Sequence, residues 1–205
     1  MRILEDELEL VEQARGGNLR AFHALYEAYA APLYAFILRM THSRADAEDL
    51  LQNTFVKAYR NLARFRGDSH FSTWLFSIAK NETVSFLRQH KRRNGKQLSL
   101  NDVLTPELSL PNGEDPEENV LHNETEAVLQ QAVSHLPEKY RAAFLLGVVE
   151  GLPYEEVGKI LKCTVPNVKS RIFRARAKLA QWLQKHYPEF AALATGSSRK
   201  RERTA

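Results

Sequence analysis

The sequence predicts an all-α fold of two small helical domains joined by a flexible acidic linker, with a helix-turn-helix in the second domain. Apolar residues recur at steps of three and four along most of the 205 residues, which is the spacing of a helix face. Glycines number only 9, and runs of β-branched residues are few. The pattern stops where prolines and acids accumulate, so we expect domains at 1–93 and 119–187, a linker at 94–118 and a disordered tail at 188–205.

Composition argues against several classes of protein. Cys163 is the single cysteine, so an internal disulfide and a cysteine-rich zinc site are both excluded. No run reaches the roughly 20 apolar residues of a membrane span, and the acidic N-terminus does not read as a signal peptide. We therefore expect a cytoplasmic protein without membrane insertion. The 7 histidines are scattered and no phosphate-binding loop is present. We expect no enzyme, no metal and no cofactor.

Three helices are expected before residue 43. The first runs from Asp6 to Arg15 and ends at a Gly-Gly-Asn sequence. The second runs from Leu19 to Tyr29 and carries an aromatic stripe. The third opens at Pro32, because proline is tolerated in the first turn of a helix.

A fourth helix follows Ser43, a favourable N-cap, and has acids in its first turn. Its apolar stripe predicts the buried side, and its polar residues then face outward. The residues alone indicate a capped, solvated helix start. A metal site is disfavoured because no histidine or glycine loop supports the carboxylates. The buried stripe consists of Ala47, Leu51, Phe55, Ala58 and Leu62.

Residues 66–69 form a loop by composition, and Ser69 or Ser72 can cap the basic helix that follows to about Lys91. We assign Trp74 to the core of that helix. Polar loop residues beside aromatic and basic side chains suit single-stranded nucleic acid, because bases need a pocket and phosphates need cations. The candidate residues are Arg66, Gly67, Asp68, Ser69, His70, Lys80, Asn81 and Arg88.

The helix-turn-helix is predicted between Tyr154 and Lys178. A short helix ending near Leu161 is followed by a tight turn and a second helix, for which Thr164 is the expected N-cap and Pro166 lies in the first turn. Between residues 165 and 178 there are five Lys or Arg and no acid. Such a face suits DNA, although a solvated charged face is the alternative. The candidate residues are Tyr154, Thr164, Asn167, Lys169, Ser170, Arg171, Phe173, Arg174, Arg176 and Lys178.

The segments 157–161 and 168–176, reading VGKIL and VKSRIFRAR, resemble the C-terminal promoter-binding region of a bacterial RNA polymerase sigma factor. The resemblance is to the sigma-70 family, and within it to the compact extracytoplasmic-function subfamily. It implies two domains that bind core RNA polymerase and promoter DNA, and that direct promoter-specific initiation, often in response to stress or another signal. It also implies a contact with the β flap and an anti-sigma factor as a further partner.

The resemblance also implies roles for the candidate residues. The helix-turn-helix would bind the −35 element, and the loop with its basic helix would capture a flipped base of the −10 element. The acidic helix would dock on the β′ clamp helices. The implied docking residues are Asp46, Glu48, Asp49, Leu50, Gln52, Asn53 and Phe55.

The sequence departs from the family pattern at Asn53, Ser85, Lys162 and Pro166. Lys162 stands where a turn glycine is usual, and a left-handed backbone there would cost about 1 kcal/mol. The alternative function is a helix-turn-helix regulator that binds duplex DNA without joining the polymerase. That alternative leaves the acidic helix and the polar loop unexplained.

Overall fold

The computed structural model describes residues 6–93 and 127–188, and all regular structure in these ranges is helical. The all-α expectation is confirmed. The predicted linker at 94–118 and nearly all of the predicted tail lie outside the described residues, and the domain boundaries stay predictions. No helix in the described part of the chain is long and apolar enough to cross a bilayer.

The N-terminal region contains four helices. They are α1 (Glu7–Arg15), α2 (Leu19–Thr41), α3 (Arg44–Asn61) and α4 (Phe71–Arg93), with a 3₁₀ turn (Leu62–Arg64) after α3. The helices α1, α3 and α4 all pack on α2 or on one another around a common core. Aliphatic and aromatic side chains fill this core because each helix presents one apolar stripe. Its fully buried large side chains are Leu25, Tyr29, Leu33, Phe36, Ile37, Met40, Phe71, Leu75 and Phe76.

The prediction that a new helix opens at Pro32 was wrong. Helix α2 continues through Pro32 as one 23-residue helix. An interior proline removes one backbone hydrogen bond and costs about 3 kcal/mol in an isolated helix. Here Tyr29, Leu33 and Phe36 on either side of it are completely buried. Burial of this uninterrupted apolar face offsets the local cost.

Side-chain caps stabilise the starts of α2 and α3. The Asn18 side chain accepts hydrogen bonds from the backbone N–H groups of Arg20 and Ala21, at 3.0 and 3.3 Å, and starts α2. Ser43 is the predicted cap of α3 and accepts from the N–H of Asp46 at 3.3 Å. The stripe of apolar residues predicted for α3 is buried.

The C-terminal region begins with α5 (residues 127–134) and α6 (Glu138–Phe144). Helix α6 runs into a π-helical turn (Leu145–Val149), and then α7 (Tyr154–Leu161) and α8 (Val165–His186) follow. The sequence did not predict the π turn. Helices α6 and α7 both pack on α8, and the buried residues of this region, which include Leu145, Ile160 and Ile172, belong to the same hydrophobic cluster as the N-terminal core.

The two regions pack against each other through α4 and α7 and through α2 and α6. Arg141 of α6 donates a hydrogen bond to the carbonyl oxygen of Met40 at 2.9 Å. The same guanidinium lies 2.9 Å from Nε2 of His42, which follows α2. Burial is the main cause that lowers the pKa of His42 to about 4, and the charge of Arg141 adds to it. The neutral imidazole therefore accepts from Arg141.

Candidate nucleic-acid interface

The turn between α7 and α8 is tight because two residues permit it. Lys162 adopts the left-handed conformation, with φ 52° and ψ 51°. The N–H of Cys163 donates to the carbonyl oxygen of Gly158 at 3.0 Å. A Cβ on Gly158 would lie only 2.8 Å from the carbonyl oxygen of Cys163, so a larger residue there would force the turn open. The positive φ expected at Lys162 is present.

Helix α8 begins as predicted, with Thr164 at the N-cap position and Pro166 in its first turn, but the Thr164 side chain makes no capping hydrogen bond. One face of the helix is buried by Val168, Ile172, Ala175 and Leu179. The opposite face carries the predicted DNA-contacting side chains, which are exposed except for the half-buried Arg171. We call this surface the outward face of α8; it contains Asn167, Lys169, Ser170, Arg171, Phe173, Arg174, Arg176 and Lys178.

Two arginines on the outward face are held in place by neighbours. Arg171 Nε donates to Asn167 Oδ1 at 3.2 Å, one helical turn away. Arg174 Nη1 donates to the Tyr140 hydroxyl at 3.4 Å, and this bond lowers the pKa of Tyr140. Phe173 lies on the same helix and is 74% exposed. The surface thus offers oriented guanidinium groups, which bind phosphates or base edges, and an aromatic ring, which can contact a thymine methyl. The remaining candidates, Tyr154 and Thr164, lie at the starts of α7 and α8.

A second candidate surface is a cavity of about 310 Å³ between the end of α3 and the middle of α4. The indole of Trp74 is half-buried at its wall, with Phe65 and Phe71 packed behind it at ring distances of 5.3 and 5.6 Å. Lys57 and Glu82 form an ion pair of 2.5 Å there. The cavity combines one aromatic wall with amide and guanidinium groups. Its lining residues are Lys57, Asn61, Arg64, Trp74, Ile78, Asn81 and Glu82.

The polar loop predicted to bind a single strand connects the 3₁₀ turn to α4. Gly67 in this loop has φ +77°, which favours glycine. Arg66, Gly67, Asp68 and His70 are exposed and Ser69 is half-buried. The loop does not line the cavity; it adjoins the start of α4, whose next turn supplies Trp74.

The expectation that Ser69 or Ser72 caps α4 was wrong. The N–H of Phe71, the first residue of α4, donates instead to Oε1 of Glu7 at 2.6 Å, a residue 64 positions earlier. Ser72 is buried, and the Ser69 hydroxyl donates to the carbonyl of His70. Local sequence could not identify a cap that is supplied by a distant helix.

Lys80 and Asn81 are adjacent on α4, and Nζ of Lys80 donates a hydrogen bond to Oδ1 of Asn81 at 3.1 Å. Asn81 faces the cavity. Lys80 lies toward the C-terminal region; burial lowers the pKa of its ammonium, and the nearby cations Lys162, Arg88 and Arg171 lower it further. Arg88 is exposed about two turns beyond Asn81. Two of the predicted helix residues therefore form a connected polar pair, in which Asn81 lines the cavity and Lys80 lies near the cations of the C-terminal region.

The exposed surface of the acidic helix α3 combines charged, polar and apolar residues. Among the predicted docking residues, Glu48, Asp49, Gln52 and Asn53 are exposed and Asp46 is half-buried. Leu50 and Phe55 are buried and support this surface from below. The sequence places Val56 on the outward side of α3, but the docking residues implied by the resemblance do not include the apolar residues exposed on α2 and α3. These are Tyr26, Val56 and Tyr59, at 40%, 47% and 43% exposure.

Comparison with known families decides the identity. Residues 25–93 match the family described as Sigma-70 region 2, and residues 126–179 match Sigma-70, region 4. The chain belongs to the sigma-70 family. This sigma factor carries region 2 on α2, α3 and α4, and region 4 on the helices from α5 to α8. As a family member it is a non-catalytic initiation factor that recognises promoters, and its partners are core RNA polymerase and promoter DNA.

Individual relatives agree with this assignment. The RNA polymerase sigma-H factor of Pseudomonas aeruginosa is 37% identical over 187 residues, which cover 88% of this chain and 95% of that protein. The ECF RNA polymerase sigma-E factor of Haemophilus influenzae is 35% identical over 182 residues, which cover 85% and 94%. This sigma factor therefore belongs to the extracytoplasmic-function subfamily, as the sequence resemblance implied.

Two solved structures share the fold. The structure of CnrH in complex with the cytosolic domain of CnrY matches with a TM-score of 0.67 and 25% identity, over 89% of this chain and 99% of that one. The sigma factor RpoE in complex with the anti-sigma factor NepR from Bartonella quintana matches with a TM-score of 0.62 and 26% identity, over 80% and 96%. In both structures the sigma-like chain is bound to a second protein.

Proposed function

We propose that the outward face of α8 reads the −35 element of the promoter. A helix with a buried apolar stripe and an exposed basic face can enter the major groove with its N-terminal residues toward the bases. Asn167 and Arg171 lie in this N-terminal half and are joined by a hydrogen bond, which limits their side-chain freedom before DNA arrives. Arg176 and Lys178 lie further along, where phosphate contacts would position the helix.

The cavity beside Trp74, together with the loop 66–70, takes one unpaired strand of the −10 element. A volume near 310 Å³ suits a small planar ligand, and a nucleobase is of this kind. Stacking of a base on an aromatic side chain contributes about 1–3 kcal/mol. Asn61 and Asn81 offer donors and acceptors at the same place, and Arg64 offers a cation for the backbone.

The exposed surface of α3 docks on the clamp helices of the β′ subunit. Asp49 and Gln52 are its exposed polar centre, and Val56 and Tyr59 extend it with apolar area. Protein–protein interfaces combine apolar and polar area, and both kinds are exposed side by side here. Leu50 and Phe55 act from beneath by fixing the helix on the core. The C-terminal region contacts the β flap.

The protein acts in the cytoplasm as an alternative, signal-responsive sigma factor and is held inactive by an anti-sigma factor. Two observations support a regulatory partner. CnrH was solved with the cytosolic domain of CnrY, and RpoE with the anti-sigma factor NepR, and both share this fold. The inducing signal and the promoter sequence are to be identified by experiment.

The single observation that carries the proposal is the presence of two separate surfaces suited to nucleic acid, one basic helix and one aromatic-walled cavity, beside the acidic helix α3. Run-off transcription with core polymerase on a library of genomic fragments tests it. We expect discrete transcripts only when both core polymerase and this chain are present. Binding to duplex DNA with neither core association nor transcripts would support the alternative, a helix-turn-helix regulator.

A further inference from the structure

Helix α1 lies before residue 25, where the region 2 match begins, yet it is bonded to the proposed −10 site. Glu7 of this helix is 4% exposed and is the one charged residue classed as buried in ranges 6–93 and 127–188. Burying a carboxylate is costly unless hydrogen bonds compensate. The partners of Glu7 therefore show which contacts maintain its position.

Both carboxylate oxygens of Glu7 have partners. Oε1 accepts from the N–H of Phe71 at 2.6 Å, and Oε2 accepts from the hydroxyl of Tyr29. The first bond fixes the start of α4, where an acceptor is favoured by the unsatisfied N–H groups and the helix dipole. The second bond anchors the carboxylate to α2. Glu7 thus ties the downstream end of the loop 66–70 to two helices.

Arg15, at the other end of α1, binds the upstream end of the same loop. Its Nη2 donates to the carbonyl oxygen of Phe65, and its Nε donates to that of Leu62 at 3.4 Å. Glu12 accepts from Nη1 at 2.6 Å and holds the guanidinium in this direction. Leu62 begins the 3₁₀ turn and Phe65 directly follows it, so bonds at both ends of the turn fix the point from which the loop leaves.

We propose that Glu7 and Arg15 are positioning residues for the unpaired −10 strand, acting through the two ends of the loop 66–70. The proposal rests on the proposed function of this loop and of the cavity beside Trp74. Between its two ends the loop is largely exposed, so its own packing does little to define its path. Fixing both ends reduces the conformational entropy that the loop loses when it closes on a strand.

The test uses holoenzyme made from core polymerase and the full chain, on a promoter selected from the run-off library. The template is already unpaired at the −10 element, so that strand separation is not measured. We expect Arg15→Ala to raise the half-saturating template concentration about tenfold, the effect of losing a charge-assisted hydrogen bond that orders the loop. The maximal initiation rate should remain unchanged, because Arg15 touches neither DNA nor the reacting groups.

Control variants distinguish a positioning role of Arg15 and Glu7 from a general loss of structure. Arg20→Ala removes an exposed arginine at the start of α2 and should leave the half-saturating concentration at the wild-type value. Glu7→Gln keeps an acceptor of the same shape and should be close to wild type, whereas Glu7→Ala should resemble Arg15→Ala. Glu9→Ala, on the exposed side of α1, is its control. Wild-type half-saturation in both Arg15→Ala and Glu7→Ala would overturn the proposal.

Glu7→Ala leaves the buried hydroxyl of Tyr29 without its acceptor, so this variant can fail to fold. The double variant Glu7→Met/Tyr29→Phe removes both polar partners together, which cores tolerate better, and still leaves Phe71 N–H uncapped. Its half-saturating concentration should also rise about tenfold with unchanged helical circular dichroism. An unchanged value in this double variant and in Arg15→Ala would likewise overturn the proposal.

If the cavity is not the −10 site, a different set of variants leaves strand binding unchanged. Asn81→Ala, with Gln89→Ala as the exposed amide control on α4, alters the cavity itself. If Asn81→Ala and Trp74→Ala leave strand binding unchanged, the cavity is not the −10 site and the proposed function fails. If these variants weaken binding but Arg15→Ala and Glu7→Ala do not, only the positioning role is contradicted.

Discussion

In the C-terminal region, the proposed DNA-contacting residues Asn167, Arg171 and Arg174 all lie on one regular helix. In the N-terminal region, Asn61, Arg64 and Asn81 line one cavity from three consecutive elements. The first surface needs only that α8 be helical and packed on its apolar stripe. The second needs the 3₁₀ turn, the loop and α4 to be placed correctly, and α1 supplies bonds that fix them. A surface on a single helix can be predicted from the spacing of its apolar residues. A surface built from several elements depends on contacts between residues that are distant in sequence.

This difference explains what the sequence could predict. The outward face of α8 follows from steps of three and four, and the structure exposes those residues, apart from the half-buried Arg171, while burying Val168 and Ile172. The cavity was missed because its residues share no periodic pattern. Trp74 was assigned to the core, yet it is half-buried at the cavity wall. Glu7 could not be identified as a cap of α4 because its partner lies 64 residues away.

Two errors have a common cause. The sequence predicted a break at Pro32, but the core on either side of it keeps α2 continuous. It also predicted a serine cap for α4, but α1 provides the acceptor. In both cases a tertiary contact overrides the local preference. Local rules succeeded where no distant contact competes, as at Ser43.

The largest expected effect belongs to the proposed docking surface on α3 of the N-terminal region. The pair Asp49→Lys/Gln52→Lys should weaken association with core polymerase at least about 100-fold, because it reverses the charge at the centre of the exposed face. A pull-down with core polymerase measures the loss, and circular dichroism should show normal helicity. Glu9→Lys/Gln13→Lys makes the same two changes on the exposed side of α1 and should bind normally. Retained binding in the α3 pair would place the docking surface elsewhere.

The next effect concerns the C-terminal region. Arg171→Ala and Arg174→Ala should each weaken binding to an upstream promoter duplex by about 1–3 kcal/mol if the side chain contacts a base edge. A phosphate contact would instead weaken all sequences alike and lower the salt slope by about one. Fluorescence anisotropy at several salt concentrations distinguishes the two, with Lys185→Ala on the last turn as control. Unchanged affinity in both variants would show that α8 does not read the promoter.

Where the two regions meet, stability should depend on pH through His42. Its folded pKa of about 4 is below the ordinary value of 6.5, so the fold favours the neutral ring. This stability is fully present above pH 6.5 and is lost as the pH falls toward 4, by about 2 kcal/mol at pH 5. Urea unfolding at pH 7 and pH 5 measures the loss. His42→Asn, which tolerates the left-handed backbone at this position, should lose less between the two values; an equal loss would contradict the assignment.

The smallest expected effect has the opposite sign. Lys162→Gly should stabilise the C-terminal region by about 1 kcal/mol, because glycine adopts the left-handed conformation without the steric cost of a Cβ. Thermal unfolding measures the gain. Lys159→Gly, three residues earlier within α7, should be destabilising by a similar amount. A loss of stability in Lys162→Gly would show that the lysine side chain makes a compensating contact in the turn.

The most direct test of the assembled N-terminal site uses two templates that carry the same promoter. One is a complete duplex, and the other is already unpaired at the −10 element. The triple variant Asp68→Ala/Ser69→Ala/His70→Ala removes polar loop groups and leaves Phe71 and Leu75 in the core. We predict that run-off transcription falls on both templates while binding of the upstream duplex is unchanged, because capture of the strand is impaired. Normal transcription on both templates would show that the loop is only a connector and would contradict the assignment of the −10 site.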